Sequence, residues 1–537
     1  MSKKIISVLL AGFMLSSLLL GCSSSKKPSE TKPDTATETK FSGYPMNAKD
    51  TTLTWWVGQG YTLNAAYAKA EDSPFHKELA KKLGVKIDWQ FPTTGTDPKQ
   101  AMNLMLASET LPNIIFNDIM TDSDRYINEG VVRDLSKYMQ KYSPAYYKFL
   151  QSNKTYDKYM KTDSGKYYGY GFFREGGGWN DTYQGPIVRQ DWLDALNLQV
   201  PKTISEFDKV LKAFKDKYGA TFTAPWSRFK QGGISGTFGS YGSSDLIFYI
   251  DGNNKVQLAQ GQKEWKDYIA KLNEWWKASL LDQDLLTNDD AIVRTKALNG
   301  KTGLAYSSMG QLSNWEADGK KANNGAKWVG LDYPKGNDGK LAMVFGGPGI
   351  GSVVSAITKS CPDDKLEIAM RALDYAYTEE GNLYWNYGTE GVSWKKDANG
   401  KPAYTDLVTK DPNGLNDAIS KYGGSTWSGS CIQATALLYM KNTETAIKAN
   451  DTWFYPNEAV SSKWKYPSGV SLTADESTTL TDLTNSIATY SSEMFAKFVT
   501  GEEPLSNFDK YLQQLDKMNL KKILETRQKA YDRYLAR

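Results

Sequence analysis

Three short apolar-rich runs open the folded part of the chain: Thr51–Val57 (TTLTWWV), Val85–Phe91 (VKIDWQF) and Asn113–Asp118 (NIIFND). Each is bounded by Gly, Pro or polar residues, which predicts strands. Between them, PFHKELAKKLG and PKQAMNLMLASE carry helical patterns. Strand alternating with helix predicts an α/β layer with a largely parallel sheet. Further on, PKTISEFDKVLKAFKDKYG places Thr203 and Glu206 at capping-box spacing, with Phe207, Val210, Leu211 and Phe214 on one face. DDKLEIAMRALDYAYTEEG repeats the design. Asp364 pairs with Glu367, the face is Leu366, Ala369, Met370, Leu373 and Tyr377, and Gly381 is the expected stop. From Asp482 onward the pattern is mostly helical, with Leu483, Ile487, Tyr490, Met494 and Phe498 on one stripe.

The first residues follow a different rule. MSKKIISVLLAGFMLSSLLLGC has a basic start, an apolar stretch from Ile5 to Leu20, then Gly21-Cys22. This is the layout of an export signal. The ending Leu19-Leu20-Gly21-Cys22 resembles the lipobox of bacterial lipoproteins, which implies lipidation of Cys22. Ser23–Gly43 is polar and rich in Ser, Thr, Lys and Pro. It cannot build a core and reads as a tether of roughly 25 Å end to end.

Charge and composition narrow the chemistry. The net charge is +4, and about +2 once Lys3 and Lys4 leave with the signal. No basic tract stands out, so no nucleic-acid partner is expected. A single histidine, His76, excludes multi-histidine metal sites. It sits in a helix start and is expected to be a partly exposed helical residue. Cys361 and Cys431 are open to pairing in an exported protein, or remain as two free thiols. Trp and Tyr (16 and 33) far outnumber Phe (19), which suits half-wet binding surfaces.

The order of segments carries a resemblance. After the lipobox and tether come LASETLPNIIFNDI, GKYYGYGFF, IVRQDWLDALNLQVPKTISEFDKVLKAF, WWKASLLDQDLLTNDDAIVRTKALNGKTGLAYSS, YAYTEEGNLYWNYGTEGVSW and FVTGEEPLSNFDKYLQQLDKMNLKKILETRQKAYDRY. This resembles the bacterial extracellular solute-binding protein family 1, the receptors of carbohydrate ABC importers. It lies nearest the lipoprotein branch of LplA-like and alginate-oligosaccharide-binding proteins. The resemblance implies a two-lobed α/β, type II periplasmic-binding-protein fold with hinge crossovers, each lobe a mixed sheet flanked by helices. Carried over, residues 1–21 are the signal and 22–43 the tether. The N-terminal lobe is 44–170 plus 345–395, and the C-terminal lobe 171–344 plus 396–537. The crossovers fall near Gly169–Gln184 and Val344–Ser352, both glycine-rich.

Ligands of open α/β sheets bind beyond the carboxyl ends of the strands. That points to Gly58–Tyr61 and to Asn117 and Asp118, with Asp118 either accepting from sugar hydroxyls or capping the next turn. The stretch LYWNYGTEGVSW follows the expected stop at Gly381, so it is expected on a loop or short irregular helix. Its Tyr387, Glu390 and Trp394 are expected to face a sugar, with Tyr384 or Trp385 packing beneath. Arg189, Trp226 and Tyr306 complete the candidate set. Arg189 is read either as a structural strand-end arginine or as a fork for a carboxylate.

No metal and no cofactor are expected. The calcium loop of the alginate-binding relatives is absent after the KAFK helix, where the sequence reads DKYGATFTAPW. DPNGLND (411–417) lacks the closing Glu of such a loop and reads as a turn. The leading expectation is a monomeric, lipid-anchored receptor on the outer face of the cell membrane. It hands an oligosaccharide to ABC permease subunits and is not an enzyme. The rivals are a secreted glycoside hydrolase acting through paired carboxylates and a surface adhesion protein.

Overall fold

The chain lays down β1 (Ala48–Val57), β2 (Val85–Gln90), β3 (Ile114–Asp118) and β4 (Tyr170–Arg174) in a first sheet. It crosses to build β5 (Gln184–Arg189), β6 (Thr221–Thr223), the hairpin β7 (Phe248–Ile250) and β8 (Val256–Leu258), then β9 (Thr302–Ser308) and β10 (Trp328–Gly330). It returns with β11 (Ile350–Ile357), the hairpin β12 (Trp394–Lys396) and β13 (Pro402–Tyr404), and β14 (Ile432–Gln433). This computed structural model describes residues 41–58, 70–93, 96, 98–108, 110–231, 235, 246–335, 347–412, 414–425, 428–457 and 464–537. The signal segment with Cys22, the tether up to residue 40, and residues 59–61, 344, 413 and 427 lie outside the described residues. Tyr44–Arg537 forms one unit.

The first sheet has the order β14-β4-β11-β3-β1-β2, parallel throughout except for β11. Its inner strands β3, β4 and β11 are buried almost throughout, as in a sheet covered on both faces, whereas the edge strand β2 alternates buried and exposed positions. Ile114, Ile115 and Phe116 are fully buried, and Trp55 stacks on Trp89 at 5.0 Å. The second sheet has the order β10-β5-β9-β6, with β5 antiparallel to both neighbours. The three predicted strands are therefore present, within a residue or three of their expected bounds.

The capping box at Thr203 and Glu206 forms and starts the helix Ile204–Tyr218, which ends at Gly219 in the left-handed conformation. The second expected box does not form. Pro362 precedes the helix Asp363–Asp374, and Glu367 instead accepts from Arg371 Nε at 2.8 Å. Gly381 also behaves differently from the expectation. It lies inside a new helix, Glu379–Tyr387, where its N–H donates to the capping Thr378 hydroxyl at 3.0 Å. A Thr three residues ahead of a flexible glycine starts a helix as readily as the glycine ends one. LYWNY is thus regular helix, closed by Gly388 at φ +84°.

The strand pairing redraws the expected division of the chain. Phe172 and Phe173 of β4 and the whole of β14 belong to the first sheet. The segments 394–412 and 414–422 pack on the helix Glu379–Tyr387 through a small separate core of Tyr387, Trp394, Val408, Ala418, Ile419 and Leu437. The long helix Ala474–Thr500 carries a formed capping box, Thr473 with Glu476, and packs on the helix Lys263–Lys277. Cys361 and Cys431 are buried free thiols, both pushed up by burial, Cys361 to about 11. Asp411 is paired with Lys421 at 2.7 Å, and its carbonyl accepts from Gly414 N–H at 2.9 Å; Asn413 lies outside the described residues.

His76 departs from the expected partial exposure. It is buried in the helix Pro74–Leu83, its ring set edge-on against Trp89 at 4.6 Å, with Nδ1 3.0 Å from Ser73 Oγ. Burial lowers its pKa from 6.5 to about 3. The ring is neutral in the fold and free to protonate once unfolded. Its contribution to stability is therefore whole above pH 6.5 and lost as pH falls toward 3. In untagged protein the single imidazole C2-proton resonance will hold its neutral shift from pH 8 down to pH 5. A titration with a midpoint near 6.5 would place the ring in water.

Candidate functional site

All the parallel strands of the first sheet end at one edge, at Val57, Gln90, Asp118, Arg174 and Gln433, and β11 begins there at Ile350. Among the described residues the chain passes between the two sheets from this edge three times: at residues 175–183, through 347–349, and at 434–443. The last passage was not foreseen in the sequence. The second sheet presents to the crossovers the start of β5 and the ends of β6, β9 and β10.

Hydrogen bonds knit the three passages together. Arg174 N–H donates to Gly349 O at 2.7 Å, and Glu175 N–H donates to Gln433 O at 2.9 Å. Thr435 N–H donates to Glu175 Oε2 at 2.9 Å, and its hydroxyl donates to Glu175 O at 2.7 Å. At the centre, Arg174 Nη1 pairs with Asp181 Oδ1 at 2.6 Å, with both side chains buried. Asp181 Oδ2 also accepts from Gly349 N–H at 3.1 Å. Gly349 has φ +78°, and a Cβ there would meet Arg174 O and Gly177 Cα, each at 2.7 Å. Only glycine allows this approach.

Asp118 stands at the same edge, separated from Arg174 by β11. It reaches solvent and accepts from Ser352 Oγ at 3.0 Å. Its carboxyl is nonetheless pushed up to about 6, mainly by the surrounding protein, with Asp122 adding to the rise and the Ser352 bond opposing it. Asn117 is buried behind it, and its Oδ1 accepts from Asp118 N–H at 2.8 Å. It orients the strand end.

Trp226 follows β6 on the second sheet and is half-buried. With Leu286 it forms one wall of a groove of about 650 Å³. Asn485, Thr489, Ser492 and Glu493 on the helix Ala474–Thr500 form the other. Tyr306 lies on β9 with its hydroxyl 3.5 Å from that of Tyr333, but it is 2% exposed and forms floor rather than platform.

The remaining sequence candidates do not join this site. Trp394 is 2% exposed, its Nε1–H donates to Gly388 O at 3.0 Å, and Tyr387 packs beside it at 5.9 Å. The helix Glu379–Tyr387 turns these aromatics inward, so the aromatic positions of LYWNYGTEGVSW are core. Tyr384 and Trp385 are core as well, against Phe75. Glu390 is exposed on the turn outside that core. Arg189 ends β5 at the far side of the second sheet from the crossovers. It grips Asp191 through two bonds, at 2.8 and 2.6 Å, and lies over Trp192 at 4.1 Å. Of its two readings, the structural one holds.

Residues absent from the sequence candidates fill the edge. Trp179 and the exposed Tyr439 stack at 5.4 Å with an interplanar angle of 1°, and Trp179 Nε1–H donates to Asp451 Oδ1 at 2.8 Å. Lys441 and Lys465 approach the Arg174–Asp181 pair. The run REGGGWND was legible as a glycine-rich passage. Its two opposite charges, seven positions apart, were the signal that went unused.

A family model described as bacterial extracellular solute-binding protein matches residues 75–416. A fructooligosaccharide ABC transporter substrate-binding protein of Streptococcus pneumoniae is 22% identical over 499 residues, covering 86% of this chain and 87% of the relative. The lipoprotein LipO of Bacillus subtilis is 23% identical over 346 residues, covering 61% of this chain and 65% of the relative. Among solved structures, an alginate-binding protein crystallised without calcium superposes with a TM-score of 0.75 at 23% identity. It covers 90% of this chain and 98% of the other. That likeness is one of fold, and it places both sheets in the architecture of solute-binding proteins.

Proposed function

The chain belongs to the bacterial extracellular solute-binding protein family, and from that premise we propose that it is the receptor of an ABC importer that captures an oligosaccharide and delivers it to the permease. The observation that carries this reading is the shared edge. Three passages between the sheets and the exposed carboxylate of Asp118 lie at the carboxyl ends of the first sheet's strands, where α/β folds bind ligands, and Trp226 with its groove follows the carboxyl end of β6 on the second sheet. The relatives supply the ligand class, since one is named for fructooligosaccharide and another for alginate.

In this reading the lobes follow the strand pairing. The first comprises residues 44–174, 350–433 and their covering helices, and the second is built on β5, β6, β9 and β10. The passages at 175–183, 347–349 and 434–443 act as the hinge, and ligand drives closure by binding the closed state better. Asp118 accepts from sugar hydroxyls and Trp226 offers a ring face. Cys22 carries the lipid that holds the protein on the outer surface of the membrane, a reading supported by the lipobox and the lipoprotein relative. The protein captures without turnover.

A thermal-shift screen of the purified protein across oligosaccharide families tests the proposal. At 100 times its Kd, the right ligand stabilises the folded state by about 2.7 kcal/mol. Release of reducing sugar from any member of the panel would overturn the receptor reading in favour of a hydrolase. Tight binding to polymer without binding of short oligomers would favour an adhesion protein.

A further inference from the structure

Two helices outside the sheets bridge the lobes and are held at both ends. The far end of the helix Ala474–Thr500 is built into the second lobe. Phe495 packs on Trp226 at 5.3 Å and on Trp265 at 5.7 Å. Asn273 Nδ2–H donates to Phe498 O and Val499 O, each at 3.0 Å. Trp265 and Asn273 lie on the helix Lys263–Lys277, which reaches β6 through Trp275 against Phe222 at 5.8 Å. The helix Leu520–Ala536 joins the same side, where Gln528 Oε1 accepts from Val256 N–H of β8 at 2.8 Å.

The opposite ends of both helices meet the first lobe. Leu472 N–H donates to Thr121 O at 2.9 Å, and Ser477 Oγ donates to Asp122 Oδ1 at 2.5 Å, just past Asp118 at the end of β3. Arg533 Nε donates to Asp163 Oδ2 at 2.7 Å, and its two Nη atoms grip both oxygens of Glu476 at 2.8 and 2.5 Å. Arg537 Nη2 donates to Gly469 O at 2.7 Å and Nη1 to Lys161 O, while Nε lies 3.1 Å from Asp163 Oδ1. Between the two arginines, Tyr534 stands edge-on to Tyr159 at 5.9 Å. Ser164, next to Asp163, donates through Oγ to Asp124 Oδ1 at 3.3 Å. The Asp163 loop is thereby tied to the helix Ser123–Asn128 that follows β3.

The two ends differ in kind. Interlocked aromatic rings hold the second-lobe end, and such packing does not slide. Ion pairs and hydrogen bonds dominate the first-lobe end, where the Arg533 side chain is 34% exposed and water can take their place. When the lobes part, both helices therefore stay with the second lobe. The Arg533–Glu476 pair joins one bridging helix to the other and survives. The Arg533–Asp163 pair crosses the lobes and breaks.

We infer that Arg533 and Arg537 close on Asp163 as a clasp that holds the lobes face to face beside the strand-end edge, and that the lobes part by opening it. This rests on the hinge reading above and adds where the moving contact lies. Glu476 aligns Arg533 for the clasp. Asp163 is a positioning residue, because bonds made in one lobe arrangement alone shift the balance toward it.

Small-angle scattering and hydrogen–deuterium exchange of the purified wild type, Asp163→Asn and Asp163→Glu, without saccharide, test the clasp. Asp163→Asn keeps the side-chain shape and removes the charge. Its largest dimension will exceed that of the wild type, and amides in 121–128 and 470–477 will exchange at least ~10-fold faster. Amides in 263–277 and 490–500 will keep wild-type protection, and Asp163→Glu will restore both readouts. Unchanged scattering overturns the inference even if local exchange rises, because the contact is then local packing. Equal loss of protection in 263–277 also overturns it, as general destabilisation. No saccharide is needed, so failure here leaves the receptor reading standing, and failure of the thermal-shift screen leaves the clasp standing.

Discussion

Replacing Trp394 with alanine will cost the protein about 3–5 kcal/mol of stability and leave its affinity for saccharide unchanged. The indole is 2% exposed and fills the centre of the small core formed with Tyr387, Val408, Ala418, Ile419 and Leu437. Removing it leaves a cavity that the flanking hairpin β12–β13 and the helix Leu415–Tyr422 cannot both close. It also strips Gly388 O of its indole donor. Chemical denaturation of the ligand-free protein reads the first effect and titration with the screened oligosaccharide reads the second. A variant of near-native stability with much weaker binding would return Trp394 to the ligand surface that its sequence context suggests.

Asp181→Ala is the second large effect, also about 3–5 kcal/mol. The substitution leaves Arg174 buried without its carboxylate at 2.6 Å, removes the acceptor of the Gly349 N–H, and leaves Lys465 facing the same space. Most of the loss is the cost of uncompensated buried charge rather than the worth of the pair. Arg174→Met with Asp181→Leu will therefore recover a large part of it. Denaturant midpoints of the single and double variants decide the matter. A single-variant loss below ~1 kcal/mol would mean that water solvates the pair. Because this pair lies where two passages between the sheets meet, the single variant will also alter the change in small-angle scattering on adding ligand.

The three N-terminal strands, the box at Thr203 and Glu206, and the stripe Leu483, Ile487, Tyr490, Met494 and Phe498 were readable, because periodicity and caps act within one or two turns of chain. The aromatic run at 383–394 misled. Tyr and Trp suit wet and dry surroundings alike, and only packing against Phe75, Val408 and Ile419 made them core. That Asp118 stands exposed at the sheet edge could be read in advance, because the end of a parallel strand is a position that topology exposes. The reach of Arg533 to Asp163 could not, because nothing in RQKAYDRYLAR distinguishes a solvated arginine from one paired 370 residues away.

By itself the sequence determined the alternation of strand and helix, the family, and the scarcity of histidine and cysteine chemistry. Each of these depends on local pattern or on composition. Tertiary structure alone decided which strands share a sheet, where the chain passes between sheets a third time, and which charges meet. Those contacts join residues as far apart as Glu175 and Thr435 or Asp118 and Ser352. Pairing over such separations is set by how whole layers bury their apolar faces, which no short stretch of chain records.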